Sequence, residues 1–208
     1  MPRALLYDRF GGIEELYIGE VAELELEDGQ VRIQTKAAAL NPFDFKMRSG
    51  MIPMPALFPH GVGNDFSGIV TEISEGSAYF NGQPVRIGDE VLGFADQNAV
   101  AEEIVLSASQ IAPKPHNVSW PVAGGLAVAG LTAQACIDAL QISSGDVVAV
   151  SAAAGGVGQV FCQLARERGA QVVGIAGPNN QQGLRDFGVI PVDYSSELVE
   201  QLRVAAPE

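Results

Sequence analysis

A glycine-rich segment in the second half of the chain carries the clearest chemical signal. Residues 151–158 read SAAAGGVG, between the apolar run Val147–Ser151 and an amphipathic stretch from about Val157 to Arg168. Glycines let a backbone approach a diphosphate closely, and the free N–H groups of a helix N-terminus favour an anion. A tight strand-to-helix turn without a ligand would also use glycines, but the strand–loop–helix context favours a dinucleotide-binding loop. The expected contacts are Ala154, Gly155, Gly156, Val157 and Gly158.

The segment after the second apolar run, Gln171–Ala176, bears on the choice of dinucleotide. An NAD-binding loop usually has Asp or Glu about 20 residues beyond its glycines, where the acid accepts a hydrogen bond from a ribose hydroxyl. That position reads Ile175-Ala176-Gly177-Pro178 here, without an acid. We therefore expect NADPH, although no lysine follows closely to pair with its 2′-phosphate. The expected phosphate contacts in this segment are the Gly177 backbone, the amides of residues 179–182 beginning with Asn179, and Arg185.

Composition and charge exclude several other classes of protein. The 208 residues include 25 acidic and 12 basic side chains, and the net charge of −13 repels both nucleic acid and anionic membrane surfaces. No apolar run is long enough to span a membrane and the first residues do not resemble a signal peptide, so a cytoplasmic protein is expected. Cys136 and Cys162 are expected to be small buried residues. With His60 and His116 as the only histidines, we expect no bound metal.

Two sequence patterns meet near residue 120, and they indicate the elements that must position these residues. Runs such as Val31–Thr35, Gly68–Ile73 and Glu90–Phe94 read as short strands between turns, which predicts a β-rich domain over residues 1–120. Residues 121–208 begin with a helical stretch over 121–140 and then alternate strands with helices, which predicts a parallel α/β sheet. The uninterrupted apolar run Val147–Ser151 predicts a strand buried on both faces. A third strand is expected at 189–192 and a last helix near 197–204.

Four further motifs stand in order along the chain. NPFDFKMRSG at 41–50 resembles NPxDxxxRxG, GVGNDFSG at 61–68 resembles GxGx[DE]xxG, GDEV at 88–91 resembles GDxV, and GLTA stands at 130–133. With AAAGGVG, they make nearly the whole chain similar to the zinc-free branch of the medium-chain dehydrogenase/reductase superfamily, the quinone oxidoreductase (ζ-crystallin-like) family. The resemblance implies a GroES-like β-rich catalytic domain over residues 1–120. It also implies, over 121–208, the first half of a Rossmann NAD(P)-binding domain, a doubly wound parallel sheet.

The resemblance also assigns roles to individual residues. It places Asn41 near the nicotinamide, to bind the cofactor ribose or the substrate carbonyl, although Asn-Pro-x-Asp is also an ordinary helix start. It places Thr132 near the nicotinamide and Tyr194 near the adenosine phosphate. A threonine bonded to its own helix backbone and a surface tyrosine after a strand remain as alternatives. Asp44 and Arg48 are expected to hold each other and the loop.

Metal binding and proton transfer are the two points on which this sequence departs from relatives. Zinc-dependent relatives have a cysteine near position 41 and Gly-His-Glu at 63–65, whereas this chain has Asn41 and Gly63-Asn64-Asp65. The resemblance therefore implies that no zinc is bound. Some quinone reductases have tyrosines just after the NPxD turn, and this chain has none there. Lys46 or water is left as the proton donor to the reduced product.

The resulting hypothesis is an NADPH-dependent oxidoreductase that transfers a hydride to a quinone or another α,β-unsaturated carbonyl. An enoyl-thioester reductase domain and a non-catalytic NADPH-binding protein are the alternatives. A doubly wound sheet has six strands and only three are expected here, so we expect a fragment in which Val147–Ser151 is an exposed edge strand. Such a fragment should bind NADPH weakly, reduce quinones negligibly and form a homo-oligomer through that edge.

Overall fold

The computed structural model describes residues 1–206, which form two compact units. The first unit is Met1–Val128 and the second begins at Ala129. The sequence pattern placed the change near residue 120; the division between the units instead falls within a helix that begins at Ala127. Residues 207 and 208, which close the predicted second domain, lie outside the described residues.

An antiparallel five-stranded sheet dominates the first unit. In spatial order its strands are β7 (Glu103–Ser107), β3 (Gln30–Ala39), β5 (Asp65–Ile73), β6 (Glu90–Phe94) and β8 (Ile111–Pro113). Alternate side chains such as Val31 and Ile33 of β3 enter one apolar core, where they pack with Phe66 and Val70 of β5. Burial alternates with period two in β6, as the sequence pattern predicted, because successive side chains of a strand point to opposite faces. In β3, Arg32 between Val31 and Ile33 is buried as well.

The first unit also has a smaller antiparallel sheet and two α-helices, and a third α-helix begins there and continues into the second unit. The small sheet has the order β2-β1-β4, formed by β1 (Arg3–Tyr7), β2 (Tyr17–Glu20) and β4 (His60–Gly61). The helices are α1 (Pro42–Arg48), α2 (Trp120–Ala123) and α3 (Ala127–Ala139). The helix predicted over 121–140 is therefore interrupted. The interruption includes Gly124, where a Cβ would lie 2.9 Å from the Ala37 carbonyl oxygen.

The second unit is a parallel three-stranded sheet with helical connections. Along the chain it contains β9 (Val147–Ser151), α4 (Gly156–Glu167), β10 (Gln171–Ala176), α5 (Gln181–Asp186), β11 (Ile190–Asp193) and α6 (Leu198–Ala205). The spatial order is β11-β10-β9, so β9 and β10 are the adjacent parallel strands that the sequence predicted. The predicted fold class, an antiparallel β unit and a parallel α/β sheet, is confirmed.

Strand β9 is less buried than its apolar sequence predicts. Val147, Ala149 and Ser151 are exposed, while Val148 and Val150 are half-buried against the core of the second unit. The prediction of burial on both faces is wrong, because among residues 1–206 β9 pairs only with β10 and is packed on one face. The expectation of an exposed apolar edge strand agrees with this geometry.

The two cysteines differ in their surroundings. Cys162 is buried in α4, where burial raises the pKa of its thiol to about 11. Cys136 is exposed on α3, so the expectation that both cysteines are buried is wrong for it. The fully buried positions of that helix are Ala133 and Ile137, one turn apart, and Cys136 lies outside this pair. Among residues 1–206, no helix is long and apolar enough to cross a membrane.

Candidate cofactor-binding and active site

The glycine-rich loop between β9 and α4 is held by hydrogen bonds within the chain. Ala152 has a positive φ of 51°, a conformation that is uncommon for a residue with a side chain. The Gly155 N–H donates to the Ala152 carbonyl at 2.9 Å, and the Gln159 side chain donates to the Ala154 carbonyl at 2.7 Å. These contacts fix the turn that directs the chain into α4.

Two glycines of this loop meet different surroundings. A Cβ on Gly158 would overlap the Ala152 carbonyl oxygen and lie 2.9 Å from the Ala153 Cα, so only glycine allows α4 to pack this closely on the loop. A Cβ on Gly156, the first residue of α4, would meet no atom within 4 Å. The first N–H groups of a helix have no intrahelical partner and carry a partial positive charge. An open, glycine-lined helix N-terminus of this kind fits the diphosphate of a dinucleotide.

The carboxyl ends of β10 and β11 bring two predicted site residues together. Gly177 follows β10 and is buried, while Tyr194 follows β11 and is 62% exposed. The Tyr194 hydroxyl lies 2.9 Å from the position that a Cβ on Gly177 would take. Tyr194 therefore covers Gly177 at the carboxyl ends of the strands, where ligands of parallel α/β folds bind.

The four amides expected to contact a phosphate are not equivalent. The Gln181 side chain donates to the Ala176, Gly177 and Val192 carbonyls at 2.9, 3.2 and 3.3 Å, which ties the ends of β10 and β11 together. Gln182 donates to Asp186 on its own helix. The exposed side chains of Asn179 and Asn180, and that of Arg185, remain at the surface of this segment.

In the first unit, the half-buried Asn41 is bonded to a network of buried polar side chains. Its main-chain N–H donates to Asp44 Oδ2 at 2.6 Å, and its amide Nδ2 donates to Asp65 Oδ2 at 2.8 Å. The other oxygen of Asp44 accepts from Asn64 Nδ2 at 2.9 Å. The other oxygen of Asp65 accepts from the Val128 N–H at 2.5 Å. Each carboxylate thus has a donor on both of its oxygens.

The expectation that Asp44 and Arg48 hold each other is wrong. Asp44 lies in the first turn of α1, where its partners are Asn41 and Asn64. Arg48 lies at the far end of this helix, where its Nε donates to the Gly11 carbonyl at 3.5 Å and its carbonyl accepts from the Gly11 N–H at 2.9 Å. The spacing of four residues would allow the two side chains to pair on one face of α1, but each is bonded to a different part of the chain instead.

The surroundings of the two carboxyls in this network raise the pKa of both. Burial raises the pKa of Asp44 above its ordinary value, nearby Asp65 adds to this shift, and the hydrogen bonds from Asn41, Asn64 and Gly63 oppose it. Burial likewise raises the pKa of Asp65, against the hydrogen bonds from Asn41 and Val128. The network therefore holds two closely spaced acids that bind protons more readily than exposed ones.

We expect this shift to be visible in the pH dependence of stability. A carboxyl whose pKa is raised by folding stabilises the protein below its unfolded pKa of about 4. That stabilisation is lost as the pH rises through the folded value. The unfolding free energy of the wild type, relative to that of Asp44→Asn, should therefore fall as the pH rises from about 4. Denaturant unfolding of both proteins at a series of pH values measures this, and a wild type that gains stability relative to Asp44→Asn as the pH rises would contradict the assignment.

The remaining predicted site residues lie on the same elements. Lys46 is exposed on α1, and Thr132 is exposed on α3. The residues at the zinc-ligand positions bind protein atoms: Asn64 Oδ1 accepts from the Gln97 N–H at 3.0 Å, in addition to the Asn41 and Asp65 contacts described above. Among residues 1–206 no group of three or more His, Cys, Asp and Glu side chains is arranged to hold a metal.

The sequence analysis missed a phenol close to this network. Tyr7 of β1 is 1% exposed and lines a small cavity with Asp44 and Met47. Its ring stacks on His60 at 5.2 Å, and its hydroxyl has no hydrogen-bond partner within the part of the chain that the structure describes. No local signal reveals this neighbour, because Tyr7 lies far from the NPxD turn in sequence and reaches it through the small sheet.

Comparisons with known proteins agree with this geometry. Residues 27–116 match the alcohol dehydrogenase GroES-like domain family. A chloroplastic NADPH-dependent alkenal/one oxidoreductase of Arabidopsis thaliana is 30% identical over 218 residues, which cover 96% of this chain and 54% of that protein. The chain thus belongs to the medium-chain dehydrogenase/reductase superfamily, which includes the alcohol dehydrogenases.

Solved structures narrow this assignment. The quinone oxidoreductase of Coxiella burnetii superposes with a TM-score of 0.84 at 32% identity, over 96% of this chain and 64% of its own. The Escherichia coli quinone oxidoreductase, solved in complex with NADPH, gives 0.82 at 26% identity, over 97% and 62%. The resemblance to the quinone oxidoreductases is confirmed, and the chain spans between half and two thirds of the length of these relatives.

Proposed function

We propose that the protein is an NADPH-dependent oxidoreductase that transfers a hydride to a quinone or another α,β-unsaturated carbonyl. The observation that carries this proposal is the glycine loop, in which Gly158 lets α4 pack closely and Gly156 leaves its N-terminus open. Two of the relatives reported above support the cofactor, one by its name and one by the NADPH in its structure. The absence of an acid at Gly177-Pro178, after β10, also favours NADPH over NADH.

The cofactor contacts of the proposal fall into two groups. The diphosphate and adenosine phosphate would be bound by residues of the second unit: Ala154, Gly155, Gly156, Val157, Gly158, Gly177, Asn179 and Tyr194. Asn41 and Thr132 would bind near the nicotinamide. When bound, the reduced nicotinamide supplies the hydride, and the protein binds and orients the reactants.

Proton transfer distinguishes the possible substrates. After hydride addition a quinone can take its proton from solvent, whereas an enone needs a proton at a defined carbon. Lys46 is the proposed donor besides water, and its exposed position on α1 suits exchange with solvent. We therefore favour quinones. The hydrogen bonds of Asn41, Asn64 and Asp65 to protein atoms support a reaction without zinc.

Cofactor binding and substrate turnover test the proposal. NADPH titrated by fluorescence should bind at least about tenfold more tightly than NADH, since an acid to bind the 2′-hydroxyl is missing at the usual position. The whole protein should reduce a simple quinone faster than an enone or an enoyl thioester. Turnover that depends on acyl-chain length would favour an enoyl-thioester reductase. Tight NADPH binding without turnover of any of them would favour a non-catalytic binding protein.

The cytoplasmic location expected from the sequence stays a prediction.

Self-association of this chain through the exposed edge of β9 can be tested by substitution. Lysine at Val147 and Ala149, on the exposed face of this edge strand, should shift the chain toward monomer, because charges on an edge oppose strand pairing. Val199→Lys, at an exposed position on α6, is the matched control and should leave the mass unchanged. Light scattering over a range of concentrations measures it. A wild-type chain that is monomeric throughout would contradict the prediction.

A further inference from the structure

We propose that Asp65 is a positioning residue that fixes the amide orientation of Asn41, so that the Asn41 carbonyl oxygen accepts a hydrogen bond from a ribose hydroxyl of NADPH. This inference rests on the proposed function, because it takes Asn41 as a contact of the cofactor. It assigns a role to the first residue of β5 that the family motif leaves open.

The register of the sheet brings the two residues together. Asp65 pairs with Ala39, the last residue of β3, and Asn41 lies two positions beyond it. Asp65 is 1% exposed, so its carboxylate cannot turn to solvent for alternative donors. A buried carboxylate needs hydrogen-bond donors on its oxygens, and here these are Asn41 Nδ2 at 2.8 Å and the Val128 N–H at 2.5 Å.

An ionised carboxylate only accepts hydrogen bonds, which determines how the Asn41 amide is oriented. The NH₂ group must face Asp65, because a flipped amide would set its oxygen against the carboxylate and leave Asp65 Oδ2 without a donor. The carbonyl oxygen of Asn41 is therefore turned away from Asp65. An acceptor on that side suits a ribose hydroxyl, whereas a substrate carbonyl oxygen requires a donor.

Asn41 begins a helix and also makes a contact that a helix start does not require. At an ordinary N-cap the asparagine side chain accepts from the first turn of its own helix. Asn41 and Asp44 form a capping box of this kind, each side chain facing the other residue's main-chain N–H, and the Asn41 Nδ2 donates in addition to Asp65 on another strand at 2.8 Å. Because Asp65 also accepts from Val128 in the first turn of α3, it joins the Asn41 turn to that helix.

A double-mutant cycle tests the assignment with NADPH binding as the readout. Asp65→Asn replaces one carboxylate oxygen with an NH₂ group, which cannot accept from Asn41 Nδ2 or from the Val128 N–H. If the NH₂ group faces Asn41, the Asn41 amide loses its partner or flips. NADPH should then bind about tenfold more weakly. If Asp65 acts through Asn41, the double variant Asp65→Asn/Asn41→Ala should bind NADPH within about twofold of Asn41→Ala alone. The KM for quinone should change little in Asp65→Asn, because the Asn41 carbonyl oxygen is proposed to bind the cofactor and not the quinone.

Asp89→Asn is the matched control. Asp89 also accepts from two donors, the Tyr79 hydroxyl at 2.7 Å and the Arg86 N–H at 2.9 Å, outside the proposed site. Its substitution should leave NADPH affinity within about twofold of the wild type. The inference would be overturned if Asp65→Asn bound NADPH as tightly as the wild type, or if the losses of affinity multiplied in the double variant. It would also be overturned if Asp65→Asn raised only the KM for quinone. A wild type that binds no NADPH would overturn the proposed function, and the inference with it.

A measurement on the wild type covers the case in which Asp65→Asn does not fold. In nuclear magnetic resonance spectra of the ligand-free chain, one Nδ2 proton of Asn41 should be shifted downfield and protected from exchange, as expected for a bond to a carboxylate. The exposed Asn117 provides the comparison. An Asn41 amide that exchanges as fast as that of Asn117 would overturn the inference.

Discussion

Replacing Gly158 with alanine is expected to abolish NADPH binding and to destabilise the second unit by about 1–3 kcal/mol. The new Cβ would overlap the Ala152 carbonyl oxygen and lie 2.9 Å from the Ala153 Cα. Both neighbours are backbone atoms of a turn held by hydrogen bonds, so α4 would have to move away from the loop. Thermal unfolding and fluorescence titration of NADPH measure the two effects.

Gly156→Ala separates cofactor binding from folding. Its Cβ would meet no protein atom within 4 Å, so the unfolding midpoint should not fall. The same methyl group would occupy space at the helix N-terminus where the diphosphate is proposed to bind, and NADPH affinity should fall by at least about tenfold. Gly183→Ala in α5, also in open space, is the control for both readouts. If Gly156→Ala binds NADPH as tightly as the wild type, the loop does not hold the diphosphate.

Asn41→Ala is expected to lower kcat/KM for quinone reduction by about 100-fold, since small errors in the orientation of reactants cost factors of this size. The substitution removes the proposed contact to the ribose near the reactive ring. It also removes one of the two donors to Asp65, which should cost about 1–3 kcal/mol of stability. The unfolding free energy is therefore measured beside the kinetics of the whole protein.

The control for this variant is Asn117→Ala, an exposed asparagine in the first unit. It should change neither kcat/KM nor stability measurably. A loss of stability in Asn41→Ala with kcat/KM unchanged would show that the asparagine is only a structural residue at the start of α1.

Much of the element order could be predicted from the sequence because it depends on local periodicity. The period-two runs became β3, β5 and β6, and β6 has the predicted bounds Glu90–Phe94. The glycine-rich loop was placed between a strand and a helix, where the structure has it. Backbone requirements and hydrophobic spacing act over a few residues, so they can be recognised without knowing what packs against them.

The errors concern surroundings that distant segments provide. An apolar run does not show whether a strand lies inside or at the edge of a sheet, so the burial of β9 was overestimated. Helical spacing does not show which side of α3 is covered, and Cys136 is exposed. Asp44 was paired with the nearby Arg48, but its partner across the fold is Asn64.

The candidate site divides in the same way. By itself the sequence determined the glycine loop, the Asn-Pro-x-Asp turn and the missing acid after β10, because each is a short run of residues with a local conformational requirement. Only the tertiary structure decided that Asp65 lies between Asn41 and Val128, 24 and 63 positions away in the chain. Such bonds arise because a buried carboxylate must find donors wherever the register of the sheet places them, and no local pattern encodes that partner.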